Sequence, residues 1–368
     1  MQRCITVKKT EGKPGEVYYP LQLNSVPIPT PGPGQVLVKV SAASLNHRDL
    51  FIRQHLYPGI SFTSPLMSDA YGVVTALGPG CSSPSLLGKP VILVPTRGWD
   101  ADPNGPESPG FCIIGASAGS PAGAGTEYLV VDEQDVVPAP EHLTPAEGAC
   151  LPVVGVTAWR SLVVKSGNAE PGRNILVTGV GGGVALQALQ FAVARGCNVW
   201  VTSGDRAKIE RAVREHGARG GVCYRDKAWD KELAALLPRD RPALDAVIDG
   251  AGGDIVARTV RLLKPGGVVV SYGMTLGPRM DYSMQAVLKN VDVRGATMGS
   301  RQEFRDMLEF VRKHRIRPVV SRVAKGLEDL EGIEALFEDM KAGRQFGKLV
   351  VLIDKDAVAD ADADAAKL

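Results

Sequence analysis

The segment Asn174-Ile175-Leu176-Val177-Thr178-Gly179-Val180-Gly181-Gly182-Gly183-Val184 runs from an apolar stretch through a glycine cluster into a second apolar stretch. A strand that enters a glycine turn and leaves as a helix is the layout a dinucleotide needs. Glycine permits the tight turn and lets backbone approach a pyrophosphate, and the helix offers free N–H groups and the positive end of its dipole. Gly179 and Gly181 fit the spacing G-x-G-x-x-G, but its sixth position is Val184. Gly179, Gly182 and Ala185 form an alternative frame with alanine as the small packing residue. A tight turn without ligand is the competing reading.

Which dinucleotide is decided where the next strand ends, at Val201-Thr202-Ser203-Gly204-Asp205-Arg206-Ala207-Lys208. An acidic residue directly after the strand would bind a ribose hydroxyl and repel a phosphate there. Here that position is Ser203, whose hydroxyl can donate to phosphate, and Arg206 and Lys208 can neutralise it. NADPH is therefore expected over NADH. Asp205 is the counter-indication, unless it caps the following helix.

These residues need a framework, and the pattern along the chain supplies one. Residues 1–150 are rich in Pro and Gly and carry short β-type runs at 36–40, 72–77, 91–94 and 127–131, separated by turn signals such as Pro31-Gly32-Pro33-Gly34. From about Val153 the pattern alternates. Strands are predicted at 174–178, 198–202, 246–249 and 268–272, and helices at 184–195 and 208–216. Such alternation predicts a parallel sheet covered on both faces. Helices at 302–314 and 327–342 precede a last β-type run at 348–353, and the Ala- and Asp-rich residues 355–368 read as a flexible tail.

With 368 residues, about two domains are expected. The 42 basic and 40 acidic residues nearly balance, which gives no electrostatic reason to expect nucleic acid or an anionic membrane as a partner. No apolar run approaches the ~20 residues of a membrane span, and the first nine residues lack the apolar core of a secretory signal. Six cysteines without a C-x-x-C pair read as free thiols in a reducing compartment.

Leu45-Asn46-His47-Arg48-Asp49-Leu50 resembles an early motif of quinone oxidoreductases in the medium-chain dehydrogenase/reductase superfamily. Ser68-Asp69-Ala70-Tyr71-Gly72-Val73-Val74, Leu151-Pro152 through Thr157-Ala158-Trp159, the glycine turn, Lys264-Pro265-Gly266-Gly267 and Gly347-Lys348-Leu349-Val350 continue the resemblance in order, over residues 1–353. It implies an α/β chain: a GroES-like, β-rich catalytic domain from 1–152 and 296–354, and a Rossmann domain, a doubly wound parallel sheet, from 153–295. It places the cofactor between them and implies a homodimer through the Rossmann domain.

Alcohol dehydrogenases of that superfamily hold a catalytic zinc through Cys, His and Cys. The first position matches Asn46 here and the second Ser68; the third falls within 151–154, which holds no Cys, although Cys150 is adjacent. The lobe that would carry a structural zinc corresponds to 99–125, with Cys112 alone. No metal is expected, and His47 and His55 are read as structural. Without a Lewis acid, hydride transfer to a quinone or an enone is easier than oxidation of a simple alcohol, because the developing oxyanion needs only hydrogen-bond donors.

The resemblance places Asn46, Tyr57, Ser68 and Thr157 near the nicotinamide, with Asn46, Tyr57 and Ser68 as catalytic candidates and Asn46 and Thr157 as cofactor contacts. Tyr57 could donate a proton or simply pack, and Asp69 could orient Asn46 or Arg48 or form a buried ion pair. Gly182 and Gly183 are expected at the pyrophosphate, Ser203, Lys208 and Tyr224 at the adenosine phosphate end, Gly250, Gly273 and Met274 on the nicotinamide side, and Lys348 at a phosphate. Three functions stay open: a small-molecule reductase, an enoyl reductase of thioester-linked substrates, and a non-catalytic NADPH-binding protein. The terminal Ala366-Lys367-Leu368 is a variant of a peroxisomal import tripeptide, so a peroxisomal or a cytoplasmic location is expected.

Overall fold

The run Ile175, Leu176 and Val177 is fully buried in the strand Asn174–Val177, as a strand covered on both faces must be. Each such side chain contributes roughly 1.5–3 kcal/mol of burial. The computed structural model describes residues 1–354; the tail expected at 355–368, with its terminal Ala-Lys-Leu, lies outside the described residues. The chain forms two units, one of Met1–Val153 together with the segment from Ser300 onward, the other of Val154–Gly299.

In the second unit, among the described residues, six parallel strands lie in the spatial order Gly220–Cys223, Asn198–Ser203, Asn174–Val177, Leu244–Asp249, Leu263–Ser271, Asp292–Gly295. Numbered along the chain this is 3-2-1-4-5-6, with a reversal beside the first strand, where a doubly wound sheet opens a crevice at its strand ends. The glycine turn follows that strand and leads into the helix Gly183–Ala194.

In the first unit the strand Gln35–Ser44 is central. It pairs with Asp69–Leu77, with Tyr128–Asp132 and, antiparallel, with the last strand Lys348–Leu352. The registers fix the chemistry that follows. Ser44 lies opposite Asp69 on one side and opposite Val350 on the other. Continuing the second register past Ser44 sets Lys348 opposite Asn46. Val36, Val38, Val40, Leu129, Val131, Leu349 and Val351 fill the core beneath.

The stretch 98–125 is closed by protein groups. The Glu107 carboxylate accepts the N–H groups of Asp100, Ala101 and Asp102 at 2.6–2.7 Å, and the buried Trp99 meets Phe111 edge to face at 5.8 Å.

Candidate active site

Lys348 is buried, and its ammonium donates to the Leu45 carbonyl oxygen at 2.6 Å, to Asn46 Oδ1 at 2.6 Å and to Asp69 Oδ2 at 2.9 Å. Those contacts use its three protons. The sequence reading sent this lysine to a cofactor phosphate; the structure ties it instead to the strand ends that its register brings together. Asp69, fully buried, also receives Asn46 Nδ2 at 2.8 Å and, on Oδ1, the Val153 N–H at 2.9 Å; the Ser44 hydroxyl lies 3.0 Å from it and 2.8 Å from the Ala149 carbonyl, two acceptors for its single proton. Of the alternatives for Asp69, the structure shows orientation of Asn46 and a buried ion pair together.

Asn46 caps the helix His47–Arg53, and its own N–H donates to Asp49 Oδ2 at 2.8 Å. Its side-chain amide has one N–H beyond those already engaged, because Nδ2 carries two hydrogens and Asp69 takes one. Ser68 is placed differently from expectation. It is fully buried, donates its proton to the Ile114 carbonyl at 2.8 Å and accepts from Arg48 Nη1 at 2.7 Å, so it holds no proton for a substrate. Arg48 also donates to the Gly115 carbonyl, and its guanidinium lies 4.9 Å from the ring centroid of half-buried Tyr57. Tyr57 therefore packs on a cation. His55 stacks near Tyr19 at 5.6 Å, a packing role.

Burial pushes the Asp49 carboxyl up to about 6, against the pull of Arg48 and the Asn46 N–H. Its folded value lies above its ordinary one, so between about pH 4 and 6 the unfolded chain has released a proton that the folded chain keeps. Stability from this group is therefore greatest below that window, falls as pH rises through it, and levels off above. Thermal midpoints of Asp49→Asn should lose that slope relative to the unaltered protein; parallel profiles would exclude Asp49 as its source.

As a donor set for Zn²⁺ the cluster does not fit. Asn46 Oδ1 is held by an ammonium, Ser68 Oγ by a guanidinium, and the fully buried Cys150, its thiol pushed well up by burial, donates to the Ala146 carbonyl. Among the described residues no group of three or more His, Cys, Asp or Glu side chains is arranged to hold a metal ion.

In the second unit the turn fits a pyrophosphate. Gly179 has φ +67° and Gly181 φ +124°, and the Val180 N–H donates to the Thr202 carbonyl at 2.7 Å, which pins the turn to the neighbouring strand. Gly182 caps the helix with no side chain, so the first N–H groups, from Gly183 onward, keep their donors for a ligand. A Cβ at Gly179 would meet nothing within 4 Å, and one at Gly182 only the Gly179 oxygen at 3.8 Å. Backbone here is open to close approach.

At the end of the second strand, Asp205 caps the helix Arg206–His216 by accepting the Ala207 N–H at 2.9 Å. It is thus spent on the helix. Ser203 Oγ accepts the Asp205 N–H at 3.3 Å, which leaves the hydroxyl proton to donate. Arg206 forms an exposed pair with Asp226, and Lys208, with its pKa lowered by burial, lies two residues further on. A Cβ at Gly204 would fall 2.6 Å from the Tyr224 hydroxyl and 3.0 Å from Arg225 Nε. Tyr224 and Arg225 therefore cover this strand end together. Sequence reasoning named Tyr224 and missed Arg225, although a cation beside an aromatic residue after the third strand was the available signal.

Gly250 and Gly273 end adjacent strands with their backbones close: a Cβ at Gly273 would lie 3.3 Å from the Gly250 oxygen, and one at Gly250 would strike the Tyr272 ring at 2.5 Å. Met274 beside them is exposed. Thr157, buried on the helix Pro152–Trp159, points its hydroxyl at Met298 Sδ at 3.8 Å. Asp249, which the sequence marks only as the end of a strand, ties the strand ends by accepting from Thr178 Oγ1 at 2.5 Å and the Gly252 N–H at 2.7 Å.

Comparison with known proteins gives consistent matches. Residues 183–313 match the family described as zinc-binding dehydrogenase, and residues 32–141 the alcohol dehydrogenase GroES-like domain. Zinc-type alcohol dehydrogenase-like protein YogA of Leptosphaeria maculans is 57% identical over 359 residues, covering 96% of this chain and 100% of that protein. A zinc-type alcohol dehydrogenase-like protein of Schizosaccharomyces pombe is 31% identical over 350 residues, 93% of this chain and 95% of its own length. A solved structure described as an NAD-dependent alcohol dehydrogenase superposes with a TM-score of 0.82 at 28% identity, covering 96% of this chain and 100% of the other.

Proposed function

The chain belongs to the medium-chain dehydrogenase/reductase superfamily, and from that membership we propose that it is an NADPH-dependent reductase of quinones or activated alkenes and carbonyls that works without zinc. The oxidoreductase fold and a pyridine nucleotide come with the family. The observation that carries the finer reading is the Asn46 cluster, where an amide stands at the first metal-ligand position and its oxygen is already held by the Lys348 ammonium.

Gly182 and Gly183 would hold the pyrophosphate with backbone N–H groups. Ser203, Lys208 and Arg225 would receive the phosphate that distinguishes NADPH, Asp205 being committed to its helix. The bound dinucleotide supplies a hydride. The acceptor gains that hydrogen with its two electrons, and the oxyanion so formed takes a proton from water. Asn46 offers its remaining N–H to that oxyanion while the charge develops. Neither charged side chain of the Lys348–Asn46–Asp69 cluster is free to deprotonate a simple alcohol: Lys348 has its three protons engaged, and both Asp69 oxygens already accept.

The test is NADPH consumption with a panel of quinones and enones, beside alcohol oxidation with the oxidised nucleotide, in protein whose metal content is measured. Turnover of the panel by metal-free protein is expected. Alcohol oxidation dependent on stoichiometric zinc would overturn the reading. Ser203→Asp should lower kcat/KM for NADPH about 100-fold, roughly 2.7 kcal/mol, while leaving NADH nearly unchanged; an equal loss with both nucleotides would remove Ser203 from the phosphate site.

We further propose a homodimer through the second unit. Among the described residues its edge strand Asp292–Gly295 pairs on one side alone, and Met284, Val287, Leu288 and Val293 around it are exposed. Light scattering should give twice the chain mass, falling to one chain in Val293→Lys; a monomer at micromolar concentration would exclude it.

A further inference from the structure

We propose that Lys348 and Asp69 are positioning residues that act on the reaction through Asn46, fixing its amide so that a single N–H is presented to the acceptor oxygen. The inference rests on the reductase reading and deepens it.

The chemistry of the three groups leaves one arrangement. An ammonium only donates, so Asn46 must turn Oδ1 toward Lys348, which it meets at 2.6 Å. A carboxylate only accepts, so Asn46 must turn Nδ2 toward Asp69, at 2.8 Å. The opposite amide orientation would set donor against donor and acceptor against acceptor. The main-chain N–H of the same residue is held by Asp49, so backbone and side chain are both anchored. What remains is one Nδ2 hydrogen, on an amide whose oxygen is drawn toward a positive charge. Withdrawing electron density through that oxygen strengthens the N–H as a donor, as polarised hydrogen-bond chains do. Asp69 is held in turn by the Val153 N–H on its other oxygen. Lys348, with its three protons engaged, is not poised for a phosphate.

The cluster is thus a resident cation whose effect reaches substrate by way of an amide. It is assembled across 302 residues of sequence by the pairing of the last strand with Gln35–Ser44.

Lys348→Met alone would leave Asp69 buried without its counter-charge, and such a chain could fail to fold. The experiment therefore uses Lys348→Arg, which keeps a cation, and the double variant Asp69→Asn/Lys348→Met, which removes both charges, each also in an Asn46→Ala background. Readouts are kcat and KM for an enone, and Kd for NADPH by fluorescence titration. Lys348→Arg should hold kcat within about tenfold of the unaltered protein. The neutral double variant should lose kcat about 100-fold, the scale of a misplaced catalytic group, with Kd for NADPH within about twofold. In the Asn46→Ala background the same double change should cost kcat no more than about threefold further, because the group through which it acts is gone.

A raised Kd for NADPH with kcat intact would make Lys348 a phosphate ligand and overturn the inference. So would an equal loss of kcat with and without Asn46. If the unaltered protein fails to oxidise NADPH with the quinone and enone panel, the reductase reading itself falls and takes this inference with it, an outcome distinct from the other two.

Discussion

Gly181→Val is expected to raise the Kd for NADPH at least about 100-fold without unfolding the protein. At φ +124° an L-residue is strained, and a β-branched one most of all. The strain alone is on the order of 1–3 kcal/mol, and every 1.4 kcal/mol is a factor of ten in affinity. The chain can relieve it only by turning the peptide that follows, and that peptide leads into Gly182, the residue that starts the helix Gly183–Ala194. A shifted Gly182 re-aims the free N–H groups at the helix start, and the valine side chain fills space that a pyrophosphate must approach. The fold should persist, since the strand Asn174–Val177 and the buried face of the helix, Leu186, Leu189 and Phe191, are untouched. The paired measurements are fluorescence titration with NADPH and the thermal midpoint by circular dichroism. Retained affinity within tenfold would show that the turn is not the pyrophosphate seat.

That turn was legible in the sequence because every signal for it is local. A continuous apolar run, glycines at positions of positive φ and the first residue of a second apolar run all fall within eleven consecutive residues, 174–184. The edge strands Gly220–Cys223 and Asp292–Gly295 were not legible. One opens on two glycines and the other alternates charge with a lone valine, so neither carries the β-type composition, and each exists because a neighbouring strand offers it a ladder. The helix Trp229–Leu236 is short, and its only sequence signal is the i, i+4 pair Trp229 and Leu233, which bury one face.

The candidate site divides the same way. Asn46 could be singled out by motif, whereas the atoms that orient it come from Asp69 and Lys348, and only a strand register reveals that position 348 stands opposite 46. Ser68 shows the opposite failure. Its hydroxyl is the right type for a proton donor, but type does not say where the proton goes, and the Ile114 carbonyl and Arg48 guanidinium consume both of its functions. Asp205 had two readings on sequence, and its bond to the Ala207 N–H selects the helix cap.

Asn46→Ala should lower kcat for an enone or quinone about 100- to 1000-fold, some 3–4 kcal/mol of transition-state stabilisation, which is the scale for loss of one preorganised oxyanion donor. The size of the effect follows from preorganisation. The remaining N–H belongs to an amide held at both ends and at its own backbone, so no reorganisation is needed when charge appears on the acceptor oxygen. Kd for NADPH should change by less than about threefold, because the groups assigned to the nucleotide lie in the turn and at Ser203, Lys208 and Arg225. The variant also takes an acceptor from Lys348 and a donor from Asp69 in a buried setting, at about 1–3 kcal/mol for each group left unsatisfied, so the thermal midpoint should fall as well. Stability alone cannot imitate the kinetic result: a protein that is folded at the assay temperature and binds NADPH normally should still turn over slowly. Asn46→Asp separates the two contributions further. It keeps the volume and can still accept from Lys348, but it offers no N–H and sets a second carboxylate against Asp69. If the reaction needs the donor, Asn46→Asp should be at least as slow as Asn46→Ala at neutral pH; a variant with either substitution that keeps kcat within threefold would move the catalytic role away from this amide.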